Sequence, residues 1–379
     1  MSIITPARED QAPLARLQAQ PLVLGLFLPL YAGGWTVSDA PRGTDWTFDY
    51  NARLVARAEA IGFDLAFGFA NWLGKDGFGG RTRFRANSLD SLASSAALAA
   101  RTSRIVLLST VHALYGWHPL NLARIGATLD HITGGRWGAN LVTGFLQGEA
   151  DKFGQAPIAH DERYRLLDEF STIVEKLWTE DEELDFQGAR WSLKGAYVSP
   201  RPAHRRPLLV SAASSDAGFR YAARHSDLVF ITSPAGAAIE AALDVLPAVN
   251  ARLKAYAAEE GRRLQTIINP HIIARDSTAE VEAVHRRIVE GADEAALTAF
   301  VEGFSGGDSK SWSGHRREQR IIGGNIQIFG TPEQVVEQCL RLKAAGCDGI
   351  QVNFFDYEPD LEFFGARILP LLRQAGLRH

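Results

Sequence analysis

Between Gly134 and Tyr164 the chain reads GGRWGANLVTGFLQGEADKFGQAPIAHDERY, and its polar residues are spaced to meet one small molecule. Trp137–Val142 reads as a buried strand that stops at Thr143-Gly144, and a helix begins near His160. Asn140, Thr143 and Glu149 therefore stand at or just past the carboxyl end of a strand, with Arg163 and Tyr164 at the next helix entrance. A guanidinium and a hydroxyl there suit a phosphate, because arginine donates paired hydrogen bonds where lysine offers a point charge. A second anion-ready run is VSAASSDAGFRYA, whose strand ends at Ser211 before Ser214-Ser215-Asp216 opens a helix. Ser215 can donate its hydroxyl while the first-turn amides face an anion. Ser215 or Asp216 alone would be an ordinary N-cap; together with the Arg-Tyr pair, the run points to a mononucleotide. His112, past the third strand, and His271, in the seventh, are the candidates for donating a hydrogen bond or moving a proton. His118, His131 and His160 read as structural, and no HxH or HExxH spacing marks a metal site.

These side chains need a scaffold that gathers strand ends. Candidate strands are Leu22–Leu28, Asp64–Gly68, Ile105–Ser109, Trp137–Val142, Pro207–Ser211, Leu228–Thr232, Ile267–Ala274 and Gly349–Phe354. Between them, apolar residues recur at helical spacing over Tyr50–Ile61, Ser91–Arg101, Leu120–Ile132, Tyr164–Trp178, Ala217–His225 and Val335–Ala345. Eight strands alternating with helices predict an α/β fold, a single (β/α)8 TIM barrel with long insertions, in which ligands bind at the carboxyl ends of the strands. A doubly wound open sheet is the alternative, but LPLYAGGWTVSDAP after the first strand lacks GxGxxG. The phosphate elements follow the fourth and fifth strands, whereas barrels more often place a phosphate after the seventh and eighth. Residues 1–20 read as a flexible tail and 21–379 as one domain. Three connections are long: Tyr31–Thr47, Trp178–Arg206 with a small excursion, and roughly Gly291–Gly330. The last is rich in Gly, Ser and charge, and its stretch around 295–328 reads equally as an active-site lid or as a surface insertion.

Composition narrows the function classes. The 379 residues are 46% hydrophobic and 22% charged with a net charge of −4, which fits a large packed core and offers no basic block for nucleic acid. Cys339 and Cys347 are too few and too close for a disulfide framework and read as reduced core thiols. No apolar run approaches the ~18 residues of a spanning helix, and the first residues carry no apolar signal core, so a cytoplasmic location is expected.

From about Leu22 to Leu372 the chain resembles the bacterial luciferase-like, reduced-flavin-dependent two-component monooxygenases. The likeness is carried by GW…FDYNARLVARAEAIGFDLAFGFANW…GFGGRTRF…NSLDSLASSAALAARTSRI, by ARIGATLDHITGGRWGANLVTG and by FFGARILPLL. These runs look like the pyrimidine and dimethylsulfone monooxygenase branches, with GFGGRTRF and SSDAG nearest the pyrimidine enzymes. The resemblance implies FMN, used as FMNH2 with O2 through a flavin peroxide. It also implies a separate NAD(P)H:flavin reductase as partner and a homodimer or homotetramer. Carried over residue by residue, it implies that Asn140 and Glu149 contact the isoalloxazine and ribityl chain. Arg163, Tyr164 and Ser215 would hold the phosphate, and Ala70 and Asn71 would line the ring. An apolar, water-excluding mouth is expected from Phe67, Phe69, Trp72, Leu114, Trp117, Phe145 and Phe354.

Three departures bear on the substrate. Asn71 replaces a lysine of the pyrimidine enzymes. His271 matches a histidine of the alkanesulfonate branch, but Asn269 replaces its arginine and Asp356 another of its histidines. A carboxylate beside a sulfonate would repel it, so a small neutral sulfone, amide or N-heterocycle is the expected substrate. An alkanesulfonate-type monooxygenase and a deazaflavin-dependent dehydrogenase on the same fold remain the alternatives.

Overall fold

The computed structural model describes residues 12–144, 146–305 and 314–379. Eight parallel strands close into a barrel in the spatial order β1 (Val23–Phe27), β12 (Gly349–Val352), β9 (Gln265–Ile268), β8 (Leu228–Ile231), β7 (Leu208–Ala213), β4 (Trp137–Val142), β3 (Val106–His112), β2 (Leu65–Gly68) and back to β1. Nearly all residues in these strands are buried, on both faces, which is why they read as near-continuous apolar runs rather than alternating ones. Helices Phe48–Ile61, Ser91–Ala99, Pro119–Thr133, His160–Thr179, Asp216–His225 and Pro332–Ala344 fall where the apolar spacing places them. Helix Ile239–Glu259 was not anticipated; it carries Pro247 in its interior, a residue that usually interrupts helical patterning. In the second connection, β5 (Leu184–Gln187) and β6 (Ser192–Ala196) form the expected excursion as an antiparallel pair.

The structure corrects three expectations. The seventh strand is not continuous from Ile267 to Ala274. It leaves the barrel at Asn269, whose carbonyl accepts the Asn325 amide at 2.9 Å. Pro270 then supplies no amide to continue the ladder, and β10 (Pro270–Ala274) pairs in parallel with β11 (Ile326–Gly330) outside the barrel. His271 therefore lies beyond the seventh barrel strand. The third connection is also more ordered than its composition implies. It contains helices Glu294–Ser305 and Arg317–Ile322 as well as β11, and Ala296, Leu297, Phe300, Ile321 and Ile322 are buried with Val37 and Phe84. Residues 306–313 of the lid candidate lie outside the described residues. Finally, the N-terminal tail contains helix Pro13–Ala19, which buries Leu17 in the main core.

Packing around β4 fixes the site strand. Trp137 turns outward into a cluster with Leu122, Ala127, Phe170 and Trp178 from the two helices that cover it, and its indole donates to Ser109 Oγ at 3.1 Å. With that face committed, period-two alternation turns Asn140 toward the barrel axis. Gly144 ends the strand in a left-handed turn (φ 73°), and a Cβ there would lie 2.1 Å from the Tyr115 hydroxyl.

Candidate active site

The carboxyl ends of the barrel strands surround a cavity of about 500 Å³. Asn140, His112, Arg163, Tyr164, Ser215 and Phe69 line it, joined by Phe67. A second cavity of about 350 Å³ shares Thr143, Gly144, His160 and Arg163 with it and has Leu114 on its wall.

Asn140 is oriented by a relay. The Thr110 hydroxyl donates to the Gly68 carbonyl at 3.0 Å, so its lone pairs accept from Asn140 Nδ2 at 3.1 Å. The amide oxygen is thereby turned away from Thr110 and remains buried without a donor. A buried acceptor in that state costs free energy that a bound N–H or O–H group would recover.

The phosphate-type elements converge as well. Arg163 and Tyr164 occupy the first turn of His160–Thr179, and Arg163 Nη1 donates to the Ile158 carbonyl at 3.1 Å. Ser215 caps Asp216–His225 by accepting the Gly218 amide at 3.1 Å. A Cβ on Gly218 would lie 2.7 Å from the Tyr164 hydroxyl, so only glycine lets the two helix starts approach this closely. Tyr164 and Ser215 are hydrogen-bonded through their side chains, and burial raises the phenol above its ordinary range. Asp216 does not oppose an anion here directly: its carboxylate is turned to Arg220 and Tyr256.

His112 lines the main cavity, whereas Glu149, expected at the flavin, is buried beside it and lines neither cavity. Glu149 is 4% exposed and accepts the Trp72 amide at 2.9 Å. Burial raises its carboxyl above the usual range, against the opposing effects of the Trp72 hydrogen bond, Lys152 and Arg85. His112 Nε2 lies 3.8 Å from Glu149 Oε2, but burial pushes the imidazole down to about 4. A neutral ring at that distance makes a loose polar contact rather than an ion pair. His112 stacks on Tyr115, with centroids 5.0 Å apart and planes 9° from parallel.

Several expected residues stand away from the cavity wall. His271 is fully buried behind it, and its Nδ1 bonds Asn353 Oδ1. Burial pushes its imidazole down to about 3. Asn353 Nδ2 in turn donates to Asn269 Oδ1 at 2.9 Å, so His271 orients a cavity-lining residue and does not line the cavity itself. Phe354 packs on Tyr357 and Phe364 in the core. Asp356 accepts the Gly43 amide at 3.1 Å and begins helix Tyr357–Phe363. Trp117 packs with the outer helix cluster, and Trp72 is 40% exposed against Phe153. Ala70 is buried and Asn71 half-buried, with Asn71 Nδ2 unpartnered, yet neither lines the cavity. Phe145 lies outside the described residues. Phe27, Trp35, Arg85, Thr110, Phe304 and Gln351 line the cavity unforeseen, and Asn269, singled out for its bearing on the substrate, lines it too. Thr110 had one available signal, its place on a strand beside Asn140. Arg85 had none, since it lies in an irregular loop.

Among the described residues, no group of three or more His, Cys, Asp or Glu side chains is placed to hold a metal. No helix there is long and apolar enough to cross a membrane.

Comparisons agree with this geometry. The family model described as luciferase-like monooxygenase matches residues 23–349. An FMNH2-dependent dimethylsulfone monooxygenase of Pseudomonas fluorescens (strain Pf0-1) is 31% identical over 368 residues, covering 94% of this chain and 96% of the relative. The pyrimidine monooxygenase RutA of Acinetobacter baylyi is also 31% identical, covering 92% of this chain and 94% of its own length. Among solved structures, a riboflavin lyase (RcaE) with modified FMN and riboflavin superposes with a TM-score of 0.82 at 23% identity, covering 95% and 93% of the two chains. That likeness concerns the fold. The family match over most of the chain and the two relatives place this protein in the luciferase-like monooxygenase family.

Proposed function

We propose that this protein is an FMNH2-dependent monooxygenase that receives FMNH2 from a separate NAD(P)H:flavin reductase and oxygenates a small organic molecule. One observation carries the reading: Asn140 Oδ1 is a buried acceptor on the cavity wall whose own amide nitrogen is already engaged. A flavin N–H or ribityl hydroxyl matches that vacancy in the hydrogen-bond scheme. At the other end Arg163, Tyr164 and Ser215 suit the phosphate, with a guanidinium, hydroxyls and a capped helix start. When bound, reduced FMN activates O2, placing one oxygen atom in the substrate and releasing the other as water.

The chain's own work is to bind, orient and exclude water. Phe27, Phe67 and Phe69 give the cavity an apolar wall that keeps solvent from the reacting atoms. His112, neutral in this setting, can offer a ring N–H as a hydrogen-bond donor to a developing oxyanion. Glu149 holds the Trp72 backbone through its amide.

The test is to load the anaerobic protein with FMNH2, mix it with O2 and follow both flavin reoxidation and hydrogen peroxide. Bound flavin should reoxidise with peroxide release much slower than free FMNH2 shows. Indifference to FMNH2 together with uptake of a reduced deazaflavin would assign hydride transfer instead.

A further inference from the structure

On the wall of the main cavity stands a cation with no acid partner among the described residues. Arg85 is 2% exposed, lines the cavity, and its Nε and Nη2 groups meet no acceptor. Five rings enclose its guanidinium carbon: Tyr31 at 4.6 Å, Trp35 at 4.8 Å, Phe84 at 5.1 Å, Phe300 at 5.4 Å and Phe69 at 5.7 Å. Ring faces attract a cation but leave its charge uncompensated. Glu149 is the carboxylate whose charge bears on it, and its own polar partners are the Trp72 amide and His112.

The chain holds this arrangement under constraint. Arg85 has a left-handed backbone (φ 60°), uncommon for a residue with a side chain. Its amide donates to the Ala32 carbonyl at 2.8 Å, and the turn packs so tightly over Gly77 that a Cβ there would lie 2.6 Å from Arg85 C. Arg85 follows β2, whereas the phosphate-type residues follow β4 and β7. The cation therefore enters the cavity from a different strand end than the phosphate-type residues.

We propose that Arg85 makes this a site for a small organic anion, with a carboxylate or sulfur oxyanion that docks on the guanidinium and an apolar body that lies against Phe27 and Phe69. The inference rests on the reading of this cavity as a reduced-flavin site. It reverses the expectation of a neutral substrate, which leaned on Asn269 and Asp356; Asn269 lines the cavity as a neutral amide, and Arg85 supplies the cation in its stead. The Asp356 carboxylate lies outside the cavity and is committed to the Gly43 amide.

Two pairs of similar size test it by anaerobic calorimetry on the FMNH2-loaded protein: methanesulfonate against dimethyl sulfone, and butyrate against butyramide. In at least one pair the anion should bind about tenfold or more tightly, as a charge-assisted contact implies; the pair that discriminates identifies the oxyanion. Arg85→Met should erase that preference without weakening FMNH2 binding, and Arg85→Lys should keep part of it. Equal affinity within both pairs, or no detectable binding of either anion, overturns the proposal without need of a variant. Loss of FMNH2 affinity in Arg85→Met with the preference intact also overturns it, since the cation would then serve the flavin. A protein that takes up no FMNH2 overturns the flavin reading and this inference with it, whereas a flavin-loaded protein without anion preference overturns this inference alone.

Discussion

The side chains of the site are tuned mainly by where their hydrogen bonds already go. Asn140 shows this best, because Thr110 spends its own proton on Gly68 and so dictates which end of the amide faces the cavity. Thr110→Val removes that direction and leaves both the Gly68 carbonyl and Asn140 Nδ2 without their partner. The variant should lose about 1–3 kcal/mol of stability, the usual cost of orphaned buried polar groups, and FMNH2 affinity should fall with it. Denaturant titration and equilibrium binding measure the two effects separately. Arg163→Ala removes a charge-assisted contact and should weaken FMNH2 binding about ten- to hundredfold, with little change in rate at saturating flavin. Unchanged FMNH2 affinity would falsify its place in the phosphate site.

At the scale of elements, the start of helix Asp216–His225 carries two roles that one substitution can separate. Ser215 caps the helix through the Gly218 amide, and its hydroxyl meets Tyr164. Aspartate caps about as well as serine, but its carboxylate would repel a phosphate. Ser215→Asp is therefore expected to melt near the wild-type temperature while losing FMNH2 affinity, whereas Ser215→Ala should lose about 1 kcal/mol of stability as well. Retained affinity in Ser215→Asp would leave the residue as a cap only. The break between β9 and β10 matters at the same scale. By leaving the barrel at Asn269, the chain places that residue on the cavity wall and His271 behind it, linked through Asn353.

For the whole molecule, buried histidines set the acid limit of stability. His112 and His271 are pushed down to about 4 and about 3 by burial. Below the ordinary histidine range the unfolded chain takes up protons that the folded chain refuses. Stability is thus complete above that range and falls as pH falls toward 4, by up to about 1.4 kcal/mol per pH unit for each group. His225 has the opposite sign. Burial works against its charge, but its hydrogen bonds to Asp168 and Glu175 prevail and raise its pKa. Its contribution is present below the ordinary range and is lost as pH rises through the folded value. Urea unfolding at about pH 7.5 and about pH 5.5 should show a drop that His112→Gln reduces and that His225→Gln does not. An equal drop in the His112 variant would place the acid limit elsewhere.

Local sequence determined the barrel and the chemistry-bearing strand ends. Wholly buried strands must be continuous apolar runs and the helices between them must carry one apolar face, so eight alternating units were legible without coordinates. Asn140, Arg163, Tyr164 and Ser215 were legible for a related reason, since each sits at a fixed offset from a strand end or helix start. What tertiary structure alone decided is which side chains the fold turns toward one another. Phe354 and Asp356 follow a strand just as closely, yet packing with Phe364 and the Gly43 amide draws them away from the cavity. Arg85 arrives from an irregular loop and is enclosed by rings from residues 31, 35, 69, 84 and 300. No period or spacing in the chain encodes that meeting, because the rings come from four separate segments, Phe300 from the far side of the sequence, and burial of a charge is a property of the assembled walls.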